Sequence, residues 1–350
     1  MKTIFVVDDN NVNLLTAQET LSEHYNVFTL SSAALMFELL ENVVPDLILL
    51  DIVMPDIDGF RALKLLKADT RYADVPVIFL TGKSDDNTEA LGFELGAADF
   101  ISKPFSKPVF LNRIKTQLDI DEIIRERTQK LLKLQNSIVS VLANMVENRD
   151  KLTGKHIDRT VEYIRILLKA MLERGLYADE IKEWNLEADV SAARLHDVGK
   201  IVVTDLILNK PERLTDDEYA IMKTHAAAGE RIIDSIIDES GNEFFLQNAK
   251  LFAGSHHERW DGRGYPRGLK GKDIPLHGRI MAIADVYDAL VSDRPYKNAF
   301  EHERALEIIA KSKGSHFDPQ IVDVFLEVGD LFAAVNSSLS PASEDGANFN

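Results

Sequence analysis

Nine histidines occur in this 350-residue chain, and eight of them lie beyond residue 150. Five sit in compact contexts: His156 in TGKHIDR, His196 in LHDVGK, His225 in MKTHAAAGE, and His256 with His257 in GSHHERWDGRGYP. Asp197 follows His196 directly, and Asp285 stands in the helical run RIMAIADVYDAL. A single histidine is more often a hydrogen-bonded core or surface residue than a ligand. Adjacent His-Asp and His-His pairs in apolar helical sequence are different, because burying such groups without a cation costs roughly several kcal/mol each. Mixed imidazole and carboxylate donors suit Fe, Mn, Zn or Co, with Ni also compatible, rather than Ca²⁺, and do not choose among them. The donors divide into two sets. His156, His196, Asp197 and Asp285 form one, and His225, His256 and His257 form the other, with Asp197 able to bridge. Two metals about 3.5–4 Å apart clamp a phosphoryl group during in-line displacement and activate water without a separate general base. Lys200 follows Asp197 by three positions and His196 by four. On a helix it shares their face and can neutralise a phosphate oxygen; its plain alternative is a helix-terminal surface lysine.

A second constellation is acidic. Asp8 and Asp9 follow the apolar run Thr3–Val7, and Asp51 ends the run Asp46–Leu50. Further runs are Val27–Leu30, Val75–Leu80 and Asp99–Ile101, with amphipathic stretches between the runs. Near-continuous apolar strands alternating with helices predict a five-stranded, doubly wound α/β fold with a buried parallel sheet. Strand C-termini gather at one edge of such a sheet, so Asp8, Asp9 and Asp51 converge there, and clustered carboxylates with oxygen donors suit Mg²⁺. Thr81 and Lys103 stand at the ends of the next two strands, where a hydroxyl and an ammonium can hold phosphoryl oxygens. Asp51 is then the nucleophile that forms an aspartyl phosphate. Each acid alone reads equally well as a turn or helix cap.

From Leu118 onward the pattern changes. Ile120, Ile124, Arg127, Leu131, Leu134, Ile138, Val141 and Met145 are spaced alternately four and three apart, a heptad seam interrupted by Arg127. No Gly or Pro falls between Leu118 and Met145. The seam predicts either a parallel coiled-coil homodimer or a stripe packed on the chain's own C-terminal domain. Residues 147–335 read as an all-α domain with one Gly-rich loop at Asp261–Gly271, where Trp260 and Tyr265 offer faces for a purine or pack the loop. The expected plan is therefore residues 1–118, a helical linker at 119–146, the helical domain at 147–335 and a disordered tail at 336–350.

The formal net charge is −17, which disfavours a nucleic-acid duplex as partner of the bulk surface, and no basic recognition helix is present. There is no cysteine, so neither disulfides nor Cys-based zinc sites arise. With no signal peptide and no apolar run long enough for a membrane span, a cytoplasmic location is expected.

The joint patterns carry two resemblances. Met1 to about Leu118 resembles the receiver domain of response regulators, through VVDDN (Val6–Asn10), LLDIVMPDIDGF (Leu49–Phe60), LTGK (Leu80–Lys83) and ISKPF (Ile101–Phe105). That resemblance implies Mg²⁺ at Asp8, Asp9 and Asp51, phosphorylation of Asp51, and sensing by Thr81 and Lys103. It also implies a switch aromatic at Phe100, a cis peptide at Lys103–Pro104, and a sensor histidine kinase or phosphotransfer protein as partner. Residues from about Val139 to Ala333 resemble the HD-GYP family of HD-superfamily phosphodiesterases. The stretches are ENRDKLTGKH (Glu147–His156), HDVGK (His196–Lys200), HHERWDGRGYPRGLKG (His256–Gly271), RIMAIADVYDALVSDRPYK (Arg279–Lys297) and HFDP (His316–Pro319). The implied activity is hydrolysis of cyclic di-GMP to the linear dinucleotide or GMP, or of cyclic GMP-AMP as in some members. The seven His and Asp residues are then metal ligands, Lys200 contacts phosphate, and Tyr265, Arg294 and Lys297 meet substrate. Some members carry an acidic third-metal ligand four positions before the first ligand histidine; here that position is Leu152, so two metals are expected. The role of Glu147 stays open, as does a binding module that reports cyclic di-GMP without turnover.

Overall fold

The computed structural model describes residues 1–82, 86–150, 155–240, 244–293 and 299–339. The chain divides into two compact units, Met1–Leu132 and Lys133–Asn350. The first carries β1 (Thr3–Val7), β2 (Asn26–Leu30), β3 (Leu47–Asp51), β4 (Val77–Thr81) and β5 (Asp99–Ser102), all parallel in the order β2-β1-β3-β4-β5. Between them run α1 (Asn11–Leu21), α2 (Ala33–Leu40), α3 (Gly59–Ala68) and α4 (Asp86–Glu94). Side-chain alternation along the strands splits the core into two layers. Phe5, Val7, Ile48, Leu50, Val77 and Phe79 pack with Met36, Leu40, Leu63 and Leu66. Ile4, Val6, Leu47, Leu49, Ile78 and Leu80 pack with Leu14, Leu21, Phe110, Ile114 and Leu118. The expected five-stranded doubly wound fold is therefore the one observed. Its helices start where the sequence supplies caps: Asn10, Ser32 and Asp58 each accept a backbone N–H of the first turn.

One helix, α5 (Lys107–Glu147), begins in the first unit and ends in the second. The linker expected at 119–146 is thus not a separate element. The helix begins twelve residues earlier, because Phe110, Ile114 and Leu118 are already a helical stripe in the first core. Its far end packs through Val139, Ala143 and Val146, which are buried. The heptad seam is a different face. Ile120, Ile124, Leu131, Leu134, Ile138, Val141 and Met145 are all exposed, and within the second unit Leu134, Ile138, Val141 and Met145 take no part in its core.

The second unit is helical: α6 (His156–Glu173), α7 (Ala178–Ile181), α8 (Leu186–Ala192), α9 (Asp205–Leu208), α10 (Asp216–Ser240), α11 (Phe244–Ser255), α12 (Leu276–Val291), α13 (His302–Lys311), α14 (Pro319–Glu327) and α15 (Gly329–Leu339). Leu167 and Leu168 of α6, Phe252 of α11 and Ile280 and Ile283 of α12 share one core with Phe325 and Phe332. Helix α15 runs to Leu339, so Asn336–Leu339 are helical rather than the start of a tail, and residues 340–350 lie outside the described residues. No described helix is long and apolar enough to cross a membrane.

Candidate active site

At the C-terminal edge of the parallel sheet, carboxylate oxygens of Asp8, Asp9 and Asp51 lie within 4.8 Å of one another. Lys103 Nζ reaches Asp8 at 2.6 Å and Asp51 at 2.9 Å. Asp8 is fully buried and also accepts from the Asn10 backbone and the Asn13 amide. Burial pushes the Asp51 carboxyl up and Asp8 adds to this, whereas Lys103 works against both. Among the described residues, one lysine answers three acids, and the excess negative charge favours a hard divalent cation. Thr81 is buried at the end of β4. Phe100 is buried between Phe79 and Phe93, with ring centroids 5.4 and 5.0 Å away. The Lys103–Pro104 peptide is cis, as the motif implies.

In the second unit, five elements deliver one cluster. His156 opens α6, His225 lies within α10, His256 and His257 follow α11, and Asp285 lies in α12. His196 and Asp197 fall between the 3-10 turns Ala193–Leu195 and Val198–Val202. The expected helical face for Lys200 is thus a 3-10 face, on which residues three apart stack. Lys200 Nζ accordingly meets Asp197 Oδ2 at 2.9 Å. Gly199 permits this turn, since a Cβ there would collide with the His225 carbonyl and Gly229 backbone of α10.

The donor atoms fall into two groups, and Asp197 lies in the one with His225, His256 and His257 rather than in the set with His156, His196 and Asp285 where the sequence reading put it. Asp197, His225, His256 and His257 form one group, and His156, His196 and Asp285 another, each with donor atoms within 4.8 Å. Asp197 serves both. Its Oδ2 lies 3.3 Å from His196 Nε2, and its Oδ1 lies 3.3 Å from His225 Nε2 and 3.7 Å from His256 Nε2. His156 Nε2 is 3.6 Å from Asp285. The residues fit transition-metal ions on the structure's own terms. Asp197 Oδ1 and His196 Nε2 are buried without a hydrogen-bond partner. His225 Nε2 and His256 Nε2 face each other at 3.3 Å. Their Nδ1 atoms turn to the carbonyls of Met222 and Ala253, which leaves Nε2 as the free donor. Burial holds the imidazoles of His225, His256 and His257 below their usual range, His256 at about 3, so they stay neutral. Burial also works to raise the Asp197 carboxyl, but Lys200 and His196 beside it hold it well below the carboxylate range.

Glu147, at the end of α5, has no role legible in the sequence. It is 6% exposed, its carboxylate oxygens are buried, and it lines a small cavity with His156, His196, Asp197 and Lys200. Burial pushes its carboxyl up, against the pull of His156 and His196. Arg149, in the turn after α5, donates to the carbonyls of Ile201 and Val203 and pairs with Asp205, tying the helix end to the segment that carries Lys200. Neither residue carries a sequence signal beyond its membership of the ENRDKLTGKH stretch.

The Gly-rich loop brings Tyr265 to 4.7 Å from the His257 ring. Gly264 passes so close to Glu258 and Arg259 that a Cβ would strike their backbone. Buried Glu258 accepts the backbone N–H of Arg267 at 2.8 Å and of Leu269 at 2.9 Å, fixing the loop. Glu258→Ala is expected to lower stability by about 1–3 kcal/mol, the cost of unpairing buried donors. Both tryptophans, Trp184 and Trp260, lie in this unit. Urea unfolding followed by tryptophan fluorescence therefore reads its transition, and an unshifted midpoint would deny the loop this anchor. The expected substrate contacts Arg294 and Lys297, and Leu152, lie outside the described residues.

The receiver-domain model of response regulators matches residues 4–115, and the HD-domain model matches residues 140–321. A Vibrio cholerae protein named probable cyclic di-GMP phosphodiesterase is 39% identical over 361 residues, covering 97% of this chain and 82% of its own length. This chain belongs to the HD-GYP response regulators. The Xanthomonas campestris cyclic di-GMP phosphodiesterase response regulator RpfG is 37% identical, over 85% of this chain and 79% of its own. A Vibrio cholerae 3′3′-cGAMP-specific phosphodiesterase is 41% identical, but over only 60% of this chain and 38% of its own. HD domains are metal-dependent hydrolases, which agrees with the two His/Asp groups of this HD-GYP chain.

Proposed function

We propose that this HD-GYP response regulator hydrolyses the phosphodiester of cyclic di-GMP at a two-metal site and that phosphorylation of Asp51 controls the rate. The observation that carries the reading is Asp197, whose two oxygens face different histidine sets in one buried cluster. Asp197 would be shared by both metals, with His156, His196 and Asp285 holding one and His225, His256 and His257 the other. When bound, the paired ions supply an activated water and stabilise charge on the phosphoryl group. Lys200 presents its ammonium to a non-bridging phosphate oxygen. Tyr265 faces the substrate from the loop, and Arg294 and Lys297 are substrate contacts by the family resemblance alone. Iron or manganese is the favoured metal, and Asp8, Asp9 and Asp51 would hold Mg²⁺ in the receiver pocket.

Substrate choice has two candidates, because full-length relatives are named for cyclic di-GMP and a relative of the catalytic half is named for 3′3′-cGAMP. Metal-loaded full-length protein is incubated with each dinucleotide and the products are separated by chromatography. Faster loss of cyclic di-GMP is expected. Faster loss of cyclic GMP-AMP would reassign the substrate, and binding without product would make the protein a reporter rather than an enzyme.

For the receiver, Asp51 takes a phosphoryl group from a sensor histidine kinase or phosphotransfer protein. Acetyl phosphate with Mg²⁺ is expected to label the wild type, whereas Asp51→Asn leaves no label. Equal labelling of the variant would move the acceptor elsewhere. The exposed heptad face of α5 is proposed to pair two chains in parallel, and the response to Asp51 phosphorylation is proposed to pass through that pairing.

A further inference from the structure

The histidines of the cluster differ in what holds their second ring nitrogen. His196, His225 and His256 turn Nδ1 to the backbone carbonyls of Ala193, Met222 and Ala253, at 3.0, 2.7 and 3.0 Å. His156 Nδ1 instead meets a carboxylate, Asp288 Oδ2, at 2.7 Å. Asp288 is 1% exposed and lies one helical turn beyond Asp285 on α12. It is locked by Arg159, 2% exposed, whose Nε donates to Oδ1 at 2.6 Å and Nη2 to Oδ2 at 2.8 Å. Arg159 Nη2 is steadied in turn by Ser292 Oγ at 3.0 Å. A guanidinium is always a donor, so both Asp288 oxygens are fixed as acceptors and Nδ1 of His156 must carry the proton. Nε2 is then the lone-pair donor facing Asp285. A carboxylate behind an imidazole raises its basicity as a ligand more than a carbonyl does.

We propose that Asp288, held by Arg159, is a positioning residue that fixes the His156 tautomer and makes the His156, His196 and Asp285 set the tighter of two metal sites. The inference rests on the reading of these side chains as metal ligands. An amide at position 288 keeps the shape but loses the charge. Whichever way it turns, its NH₂ end opposes a guanidinium N–H, and in one orientation it also opposes His156 Nδ1.

The test is a titration of metal-stripped full-length protein with Co²⁺, following visible absorption and heat. The wild type is expected to show two binding classes of unequal affinity. His156→Gln is expected to remove the tighter class. Asp288→Asn is expected to weaken that same class about 10- to 100-fold and leave the weaker one in place. In His156→Gln/Asp288→Asn the second change adds nothing further. If His156→Gln leaves both classes intact, the metal-ligand reading itself fails. If His156→Gln removes a class but Asp288→Asn does not weaken it, the positioning role fails while the ligand set stands. Should Asp288→Asn not unfold cooperatively on heating, Arg159→Met/Asp288→Leu, which leaves no unpaired buried charge, supplies the same readout.

Discussion

Asp197→Ala is expected to abolish hydrolysis of cyclic di-GMP while the protein stays helical. Asp197 is the residue whose two oxygens face both histidine sets, and it also pairs with Lys200. Its loss removes a ligand from each proposed metal and releases the lysine from the position in which it is proposed to meet phosphate. Losing a single charge-stabilising group at a catalytic centre costs roughly 10²–10³ in rate. Here the metals, their spacing and the cation are lost together, so the fall is at least of that order. The side chain is only 20% exposed but belongs to no apolar core cluster, so the helices have little reason to melt. Turnover of purified variant and wild type, with circular dichroism and acetyl-phosphate labelling of Asp51 as controls on each unit, measures this. Wild-type hydrolysis by a folded Asp197→Ala protein would remove the site assignment altogether.

Inserting two residues after Leu134 is expected to abolish the response of hydrolysis to Asp51 phosphorylation. The insertion rotates the later part of α5 by about 200° against the seam, at 3.6 residues per turn. Ile138, Val141 and Met145 then leave the stripe formed by Ile120, Ile124 and Leu131, and the proposed helix pairing cannot run through. Coupling of this kind amounts to about 1–3 kcal/mol, so roughly a 5- to 150-fold response is lost. Seven inserted residues, one full heptad, restore the seam to within about 20° and keep the response. Rates with and without phosphoryl donor, for wild type and both insertions, decide it. A response that survives the two-residue insertion would sink the coupling, as would a wild type that sediments as a monomer. Arg149 gives the far end of the helix its grip, because its guanidinium holds the carbonyls of Ile201 and Val203 just beyond Lys200.

The receiver half is legible almost strand by strand, since buried parallel strands write themselves as continuous apolar runs and Asp8, Asp51 and Lys103 stand at their ends. The seven His and Asp residues are legible because ligand types cluster in short words even where those words lie far apart in the chain. Boundaries are less legible. Helix α5 absorbs the expected linker at both ends, because a helical period does not announce where one core hands over to the next. The same ambiguity hides the difference between an α-helix and two 3-10 turns around Asp197, where Gly199 lets the backbone press against α10.

The sequence by itself determined two folds, the order of the domains and the identity of the side chains that meet at each centre. Those depend on hydrophobic period and residue chemistry, which are local properties. Only the tertiary structure decided which nitrogen of each histidine points inward, because the partner of the other nitrogen is set by the packed chain, Asp288 for His156 and a preceding carbonyl for His225. It also decided that Glu147 and Glu258 are buried, one beside the cluster and one anchoring the loop. Burial and hydrogen bonding are properties of packing between segments remote in sequence, and no local pattern encodes them.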